Sequence, residues 1–198
     1  PWKRDVVREL ADACRRGGLR FGVYYSLGRD WEDPDVPSSV KADGNRRSND
    51  WDWPDETKKD FTRYFERKVK PQVTELLTHY GPIDLLWFDT PEQIKPAQSI
   101  ELMKLIHELQ PARIVNQRVG NRYGDYRVAE QEIPAGGWAD AWETCMTLNR
   151  HWGYYLGDED FKPIETVIRN LIDIASKGGN FLLNVGPVGE GVIPAGSV

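Results

Sequence analysis

Apolar positions recur in two rhythms along the chain, and glycine or proline marks each change of rhythm. Val6, Leu10, Ala13 and Cys14 share one face of a helix over residues 5–16, which Gly17-Gly18 stops. Leu19 to Tyr25 follows as a strand. Phe61, Tyr64, Phe65, Val69, Val73, Leu76 and Leu77 repeat at three- and four-residue steps and predict a helix over 55–79, with a kink or break near Lys70 because Pro71 falls inside it. After the turn Gly81-Pro82, the short apolar run 83–89 reads as a buried strand ending on Asp89. Pro96 opens a helix carrying Leu102, Leu105, Ile106 and Leu109 on one face, Pro111 ends it, and residues 113–117 form the next strand. Further strands fall near 127–131, 141–146 and 180–185. Pro163 opens the helix between the last two, with Ile164, Val167, Ile168, Leu171, Ile172 and Ala175 in register, and Gly178-Gly179 stops it.

About six strands alternating with helices predict a parallel α/β sheet, open or closed. No GxGxxG or Walker pattern follows a strand, so a nucleotide-binding fold loses support. A (β/α)8 barrel has eight strands and typically about 250 residues. The 198 residues here therefore read as one partial barrel domain spanning 1–198, with the N-terminal strands missing and both ends truncated.

Composition narrows the function. With 39% hydrophobic and 29% charged residues the chain is ordinary for a globular domain. A net charge of −5 gives no reason to expect nucleic acid or an anionic membrane surface as a partner. Two cysteines, Cys14 and Cys145, make no disulfide framework, and Cys14 reads as a core residue. His79, His107 and His151 have no paired metal-ligand spacing. Segment 26–54 is long, polar and rich in Asp, Gly and Pro, yet carries Trp31, Trp51 and Trp53, as an ordered active-site loop does. Its acidic residues are candidate calcium ligands without EF-hand spacing.

Asp89 stands where parallel strands present functional groups, at a C-terminal strand end. Local pattern alone also allows it to cap the following turn. Glu130, Glu132 and Glu143 are candidate proton-transfer groups, with a salt bridge or a rim position as the alternative for each. The ring of Trp142 is a candidate for desolvating Glu143. Tyr25 ends its strand and is the candidate hydroxyl toward Asp89 or a ligand, with Tyr24 on the other side. Trp31, Trp87, Trp138 and Trp142 can offer apolar faces to a sugar, Trp87 equally to the core, whereas Trp152 and Tyr154 read as packing.

Four stretches carry a family resemblance: FGVYYSLGRDW at 21–31, IDLLWFDT at 83–90, WETCMTLNRHWGYY at 142–155 and NFLLNVGPVGEGVIP at 180–194. In their order and content they resemble the catalytic domain of glycoside hydrolase family 29, the α-L-fucosidases. The resemblance implies a (β/α)8-like barrel, usually followed by a β-sandwich, that hydrolyses α-L-fucosides of oligosaccharides or glycoconjugates with retention of configuration. It makes Asp89 the nucleophile and brings Arg118 near the sugar or nucleophile, a surface arginine being the alternative. Glu130 resembles the acid/base of one branch and Glu143 a second candidate position. It calls for no metal or cofactor, and implies a secreted, periplasmic or lysosomal location. The chain departs from the family in having Thr90 where a small residue is usual, and in lacking a His-His pair on an earlier strand. The alternatives are a barrel glycosidase for another sugar and a carbohydrate-binding protein without catalysis.

Overall fold

The computed structural model describes residues 3–38 and 49–198, so Asp43, one of the candidate calcium ligands, lies outside the described residues. The chain divides into two compact units, Pro1–Asp125 and Tyr126–Val198. The α/β alternation read from the sequence is present in both. The expected barrel is present only in part: the described strands make two three-stranded parallel sheets rather than a closed ring.

The first unit begins with α1 (Val6–Arg16), capped by Asp5, whose carboxylate accepts the Arg8 amide at 2.9 Å. Its burial differs from the expected face: Ala11 enters the core while Val6 and Leu10 are half exposed and Cys14 is only partly buried. Strands β1 (Gly22–Ser26), β2 (Leu85–Asp89) and β3 (Ile114–Val115) form the sheet in that order. β1 and β2 pair with Tyr24 opposite Trp87, Tyr25 opposite Phe88 and Ser26 opposite Asp89. Because side chains alternate across a strand, Val23, Tyr25, Leu86 and Phe88 share one face and Tyr24, Ser26, Trp87 and Asp89 the other. The first face packs on the helices: Leu86, Phe88 and Val115 join Phe61, Tyr64, Phe65, Val69, Val73, Leu77, Leu102 and Ile106 in one buried cluster. Burying each large apolar side chain in it stabilises the unit by about 1.5–3 kcal/mol.

Helix α4 (Pro96–Leu109) follows the predicted pattern. The helical stretch before β2 does not break at Lys70. It runs α2 (Phe61–Tyr64), a π-helical turn (Phe65–Val69), then α3 (Lys70–His79). Proline lacks an N–H and its ring crowds the carbonyl four residues back. Opening the preceding turn to π geometry lets the helix continue through Pro71.

In the second unit β4 (Arg127–Glu130), β5 (Trp142–Thr147) and β6 (Asn180–Asn184) lie in that order, with α5 (Ile164–Ser176) before β6. Trp142 and Met146 point toward the helix side: the Trp142 indole N–H donates to the Lys177 carbonyl at 3.3 Å and the Met146 sulfur accepts from Asn170 at 3.5 Å. A Cβ on Gly179 would fall 2.4 Å from the Trp142 ring, so only glycine lets that ring pack there. Glu143, Cys145 and Thr147 alternate to the opposite face, and the register adds Val128 and Glu130 to it.

Candidate active site

Asp89 ends β2 on the face away from the helices. Both of its carboxylate oxygens are engaged: Arg118 donates to Oδ1 at 2.8 Å and the Tyr24 hydroxyl donates to Oδ2 at 2.7 Å. Charge-assisted bonds of this kind are stronger than neutral ones and fix a carboxylate in one orientation. Tyr24 stacks on Trp87 with ring centroids 5.6 Å apart, and the Arg118 guanidinium lies 4.9 Å from the Trp87 ring centre. Trp87 is thus the floor on which both donors rest. Burial, reinforced by the bond to Asp89, pushes the Tyr24 phenol well above its ordinary range, so it stays a protonated donor. Tyr24 remains 61% exposed, so the face it shares with Asp89 is open.

The hydroxyl that reaches Asp89 is therefore that of Tyr24, not Tyr25. The Tyr25 side chain alternates into the helix layer, donates to Gln72 Oε1 at 2.8 Å and packs edge-on against Phe88 at 5.9 Å. The strand runs one residue past Tyr25, and Ser26, not Tyr25, is level with Asp89.

The main chain around Asp89 is held as firmly as its side chain. The Leu27 amide donates to the Asp89 carbonyl at 2.8 Å. Thr90, buried, has φ 57°, where a β-branched residue is strained. Its hydroxyl accepts the Gly28 amide at 3.1 Å, and a Cβ on Gly28 would fall 2.2 Å from the Thr90 carbonyl oxygen. Two residues on, Glu92 pairs with Arg29 at 2.6 Å. On the other flank Asn116, fully buried, exchanges two side-chain bonds with the Phe88 backbone: its Oδ1 accepts the Phe88 N–H and its Nδ2 donates to the Phe88 carbonyl, both at 2.9 Å. β3 itself stops at Val115, and Arg118 rides on the 3₁₀ turn Gln117–Val119 beyond it. Asn116 was given no role from sequence, Tyr24 was expected on the side away from Asp89, and Thr90 was noted only as a departure from the family pattern. A polar residue closing a short strand, as Asn116 does, is the signal that was available.

The loop after β1 carries Trp31, which stacks on Trp51 with centroids 5.5 Å apart, both exposed to solvent. Three of its described aspartates, Asp30, Asp33 and Asp35, make ion pairs. Asp33 and Asp35 are buried, Arg67 donates to Asp33 at 2.8 and 3.0 Å and to Asp35 at 3.1 Å, and Arg63 reaches Asp35 at 3.0 Å. Lys68 pairs with Asp30. Arg67 and Lys68 both lie on the π turn. Behind the loop Glu56 accepts from Lys59 and from the Ser38 amide and hydroxyl, and the Lys59 side chain is 1% exposed.

In the second unit Glu130 ends β4, exposed and level with Cys145, while Glu143 is buried two residues earlier along β5, level with Val128. The pleat puts both on the helix-free face. Glu132 lies beyond the strand, past Gln131 at φ 56°, and its carbonyl accepts from the Thr144 hydroxyl at 2.7 Å. Trp142 is buried on the helix side and does not share a face with Glu143, so it neither desolvates that carboxyl nor offers a ring to a ligand. Trp138 packs against Trp142, and the Arg127 guanidinium covers its face at 3.9 Å. Trp152 and Tyr154, expected as packing, are substantially exposed. No group of three or more potential metal ligands occurs among the described residues, and no described helix is long and apolar enough to cross a membrane.

The alpha-L-fucosidase family model matches residues 1–198. Human plasma alpha-L-fucosidase is 32% identical over 207 residues, covering 96% of this chain and 40% of that protein. Among solved structures, alpha-L-fucosidase AlfC from Lactobacillus casei in complex with alpha-L-fucose superposes with a TM-score of 0.89 at 37% identity, over 98% of this chain and 62% of AlfC. A variant of AlfC has been solved with Fuca(1,6)GlcNAc. Alpha-L-fucosidase isoenzyme 1 from Paenibacillus thiaminolyticus is 40% identical with a TM-score of 0.85, over 98% of this chain and 49% of that one. The chain thus spans about two-fifths of the length of its curated relatives.

Proposed function

The chain belongs to the alpha-L-fucosidase family, and from that premise we propose that its parent protein hydrolyses α-L-fucosides by double displacement. An Asp89 oxygen attacks the anomeric carbon while the glycosidic C–O bond breaks and the leaving oxygen takes a proton from a glutamic acid. The resulting glutamate then takes a proton from water, whose oxygen attacks the same carbon and releases Asp89. Two inversions give net retention.

The observation that carries this reading is Asp89 at a strand end on the helix-free face, with both oxygens fixed by Arg118 and Tyr24. A nucleophile has to be aimed, and two donors on a Trp87 floor hold Asp89 in one orientation. Glu130 is the acid/base in this reading, because it stands at the C-terminal end of its strand as Asp89 does, whereas Glu143 lies deeper. Glu143 is the alternative, and Trp31 is the aromatic surface offered to substrate, because Trp87 is buried beneath Tyr24 and Arg118. The ligands of AlfC support a fucosylated saccharide as substrate, and the plasma enzymes among the relatives support a secreted or lysosomal setting.

The test uses the full-length parent on a chromogenic α-L-fucoside. Asp89→Ala should lose at least about 10³-fold in kcat, with azide restoring turnover as the inverted fucosyl azide. Glu130→Ala should keep activity on a good leaving group and give the retained azide product, and Glu143→Ala should not. A parent that binds fucose without cleaving any fucoside would leave only a carbohydrate-binding role.

A further inference from the structure

Among the described residues, a further cluster of titratable side chains stands apart from the carboxylates already described. It lies in the segment 148–161 that leaves the C-terminal end of β5, the strand of Glu143. Asp158 is buried there. It accepts the amides of Arg150 at 2.9 Å and Asp160 at 3.2 Å, and meets His151 Nδ1 at 2.6 Å. These bonds, the one from His151 foremost, hold its carboxyl below the usual range. With Nδ1 committed to the carboxylate, Nε2 is the ring nitrogen left to meet a further partner.

The ring is fixed but not covered. Its side chain is 49% exposed, with the Tyr155 ring 5.0 Å away. Trp152, Tyr154 and Tyr155 are exposed on the same segment. The segment is also tied to both neighbouring strand ends. Asn184, closing β6, donates to the Trp152 carbonyl at 2.6 Å, and the Thr147 hydroxyl, closing β5, donates to the Asn149 carbonyl. A connection needing only to reach α5 has no use for an oriented half-exposed imidazole among exposed rings. A saccharide has use for both, since sugar recognition combines flat apolar contacts with a few placed polar groups.

We propose that His151 is a specificity residue for the leaving-group side of the substrate: its Nε2 hydrogen-bonds a hydroxyl of the sugar that carries the fucose, with Trp152 and Tyr155 offering ring faces to that same sugar. This rests on the fucosidase reading above and adds the class of aglycone, a pyranose rather than an alkyl or simple aryl group.

The test compares kcat/KM of the full-length parent on Fuca(1,6)GlcNAc and on 4-nitrophenyl α-L-fucoside. In His151→Ala the ratio of disaccharide to aryl fucoside should fall about tenfold or more, chiefly through KM, and His151→Gln, which restores a hydrogen-bonding group, should recover part of it. An equal change on both substrates, or no change on either, would overturn the proposal. A second measurement needs no variant: the His151 Hε1 resonance of the wild-type protein should shift on adding N-acetylglucosamine, and an unmoved signal counts against the contact. Should the wild type cleave neither fucoside, the fucosidase reading fails, while this titration still decides the sugar contact.

Discussion

The loops that follow β1 and β5 reach order by opposite routes. Each leaves the C-terminal end of a parallel strand, each exposes aromatic rings, and each folds around buried aspartate. In the first, Asp33 and Asp35 are met by guanidinium groups from another element, the helix and π turn spanning 61–69. In the second, Asp158 is met by His151, seven residues away in the same loop, and by that loop's own amides. An arginine keeps its charge at any working pH, whereas a partner from the same loop is displaced whenever that loop moves. The first loop is therefore anchored from outside and independent of pH over the neutral range. The second is self-supporting, and its order depends on a local bond.

The largest expected effect breaks the anchoring of the first loop. Lys59→Met removes a buried ammonium and leaves Glu56 with its Ser38 donors but without that cation, which should cost about 3 kcal/mol and lower the melting temperature by roughly 6–12 °C. Calorimetry of the folded protein decides it. Next comes pH. Burial alone would raise the Glu56 carboxyl, but Lys59 and the two Ser38 donors outweigh it and bring it down to about 2 from an ordinary 4.5. A depressed carboxyl stabilises the fold fully above its unfolded pKa, and that contribution fades as pH falls from about 4.5 toward about 2. Glu56→Gln should therefore melt lower than wild type at pH 7 and converge with it near pH 2.

A smaller, local effect is expected in the second loop. Asp158→Asn should leave the global melting temperature nearly unchanged yet speed proteolysis within 148–161, because only that loop loses its organising charge. The sign follows from the depressed Asp158 carboxyl: its contribution is present above the ordinary value of 3.8 and lost below it, so the two proteins should be cut equally fast in more acidic solution. Equal cleavage at neutral pH would show that the loop does not depend on that bond. The smallest effect lies on neither loop. Thr90→Gly relieves left-handed strain worth about 1–2 kcal/mol but gives up the bond to the Gly28 amide, worth about 1 kcal/mol. Stability should move by less than about 1 kcal/mol, measured by urea unfolding.

Much of this architecture was legible from residue order. The run 83–89 declared β2 and its terminal carboxylate, and the spacing from Phe61 to Leu77 declared the helix that covers it. What was not legible is parity. Tyr24 and Tyr25 are both aromatic, and the run 21–25 offers no polar alternation to say which of them faces the helices. The same ambiguity assigned Trp142 to a ligand face when it packs inward beneath Gly179. The π turn is foreshadowed by Pro71, but the form of the accommodation depends on contacts that periodicity does not encode. The bond between His151 and Asp158 joins residues across an irregular loop, where no repeat marks partners in advance.

Asn116 carries one more consequence. By lending its side-chain amide to the Phe88 backbone, it supplies the hydrogen bonds of one further strand residue while its own chain turns away. The end of the sheet and the departure of the chain are thereby uncoupled. Segments beyond the turn that carries Arg118 can lengthen, shorten or change composition over evolutionary time without fraying the strand that ends on Asp89.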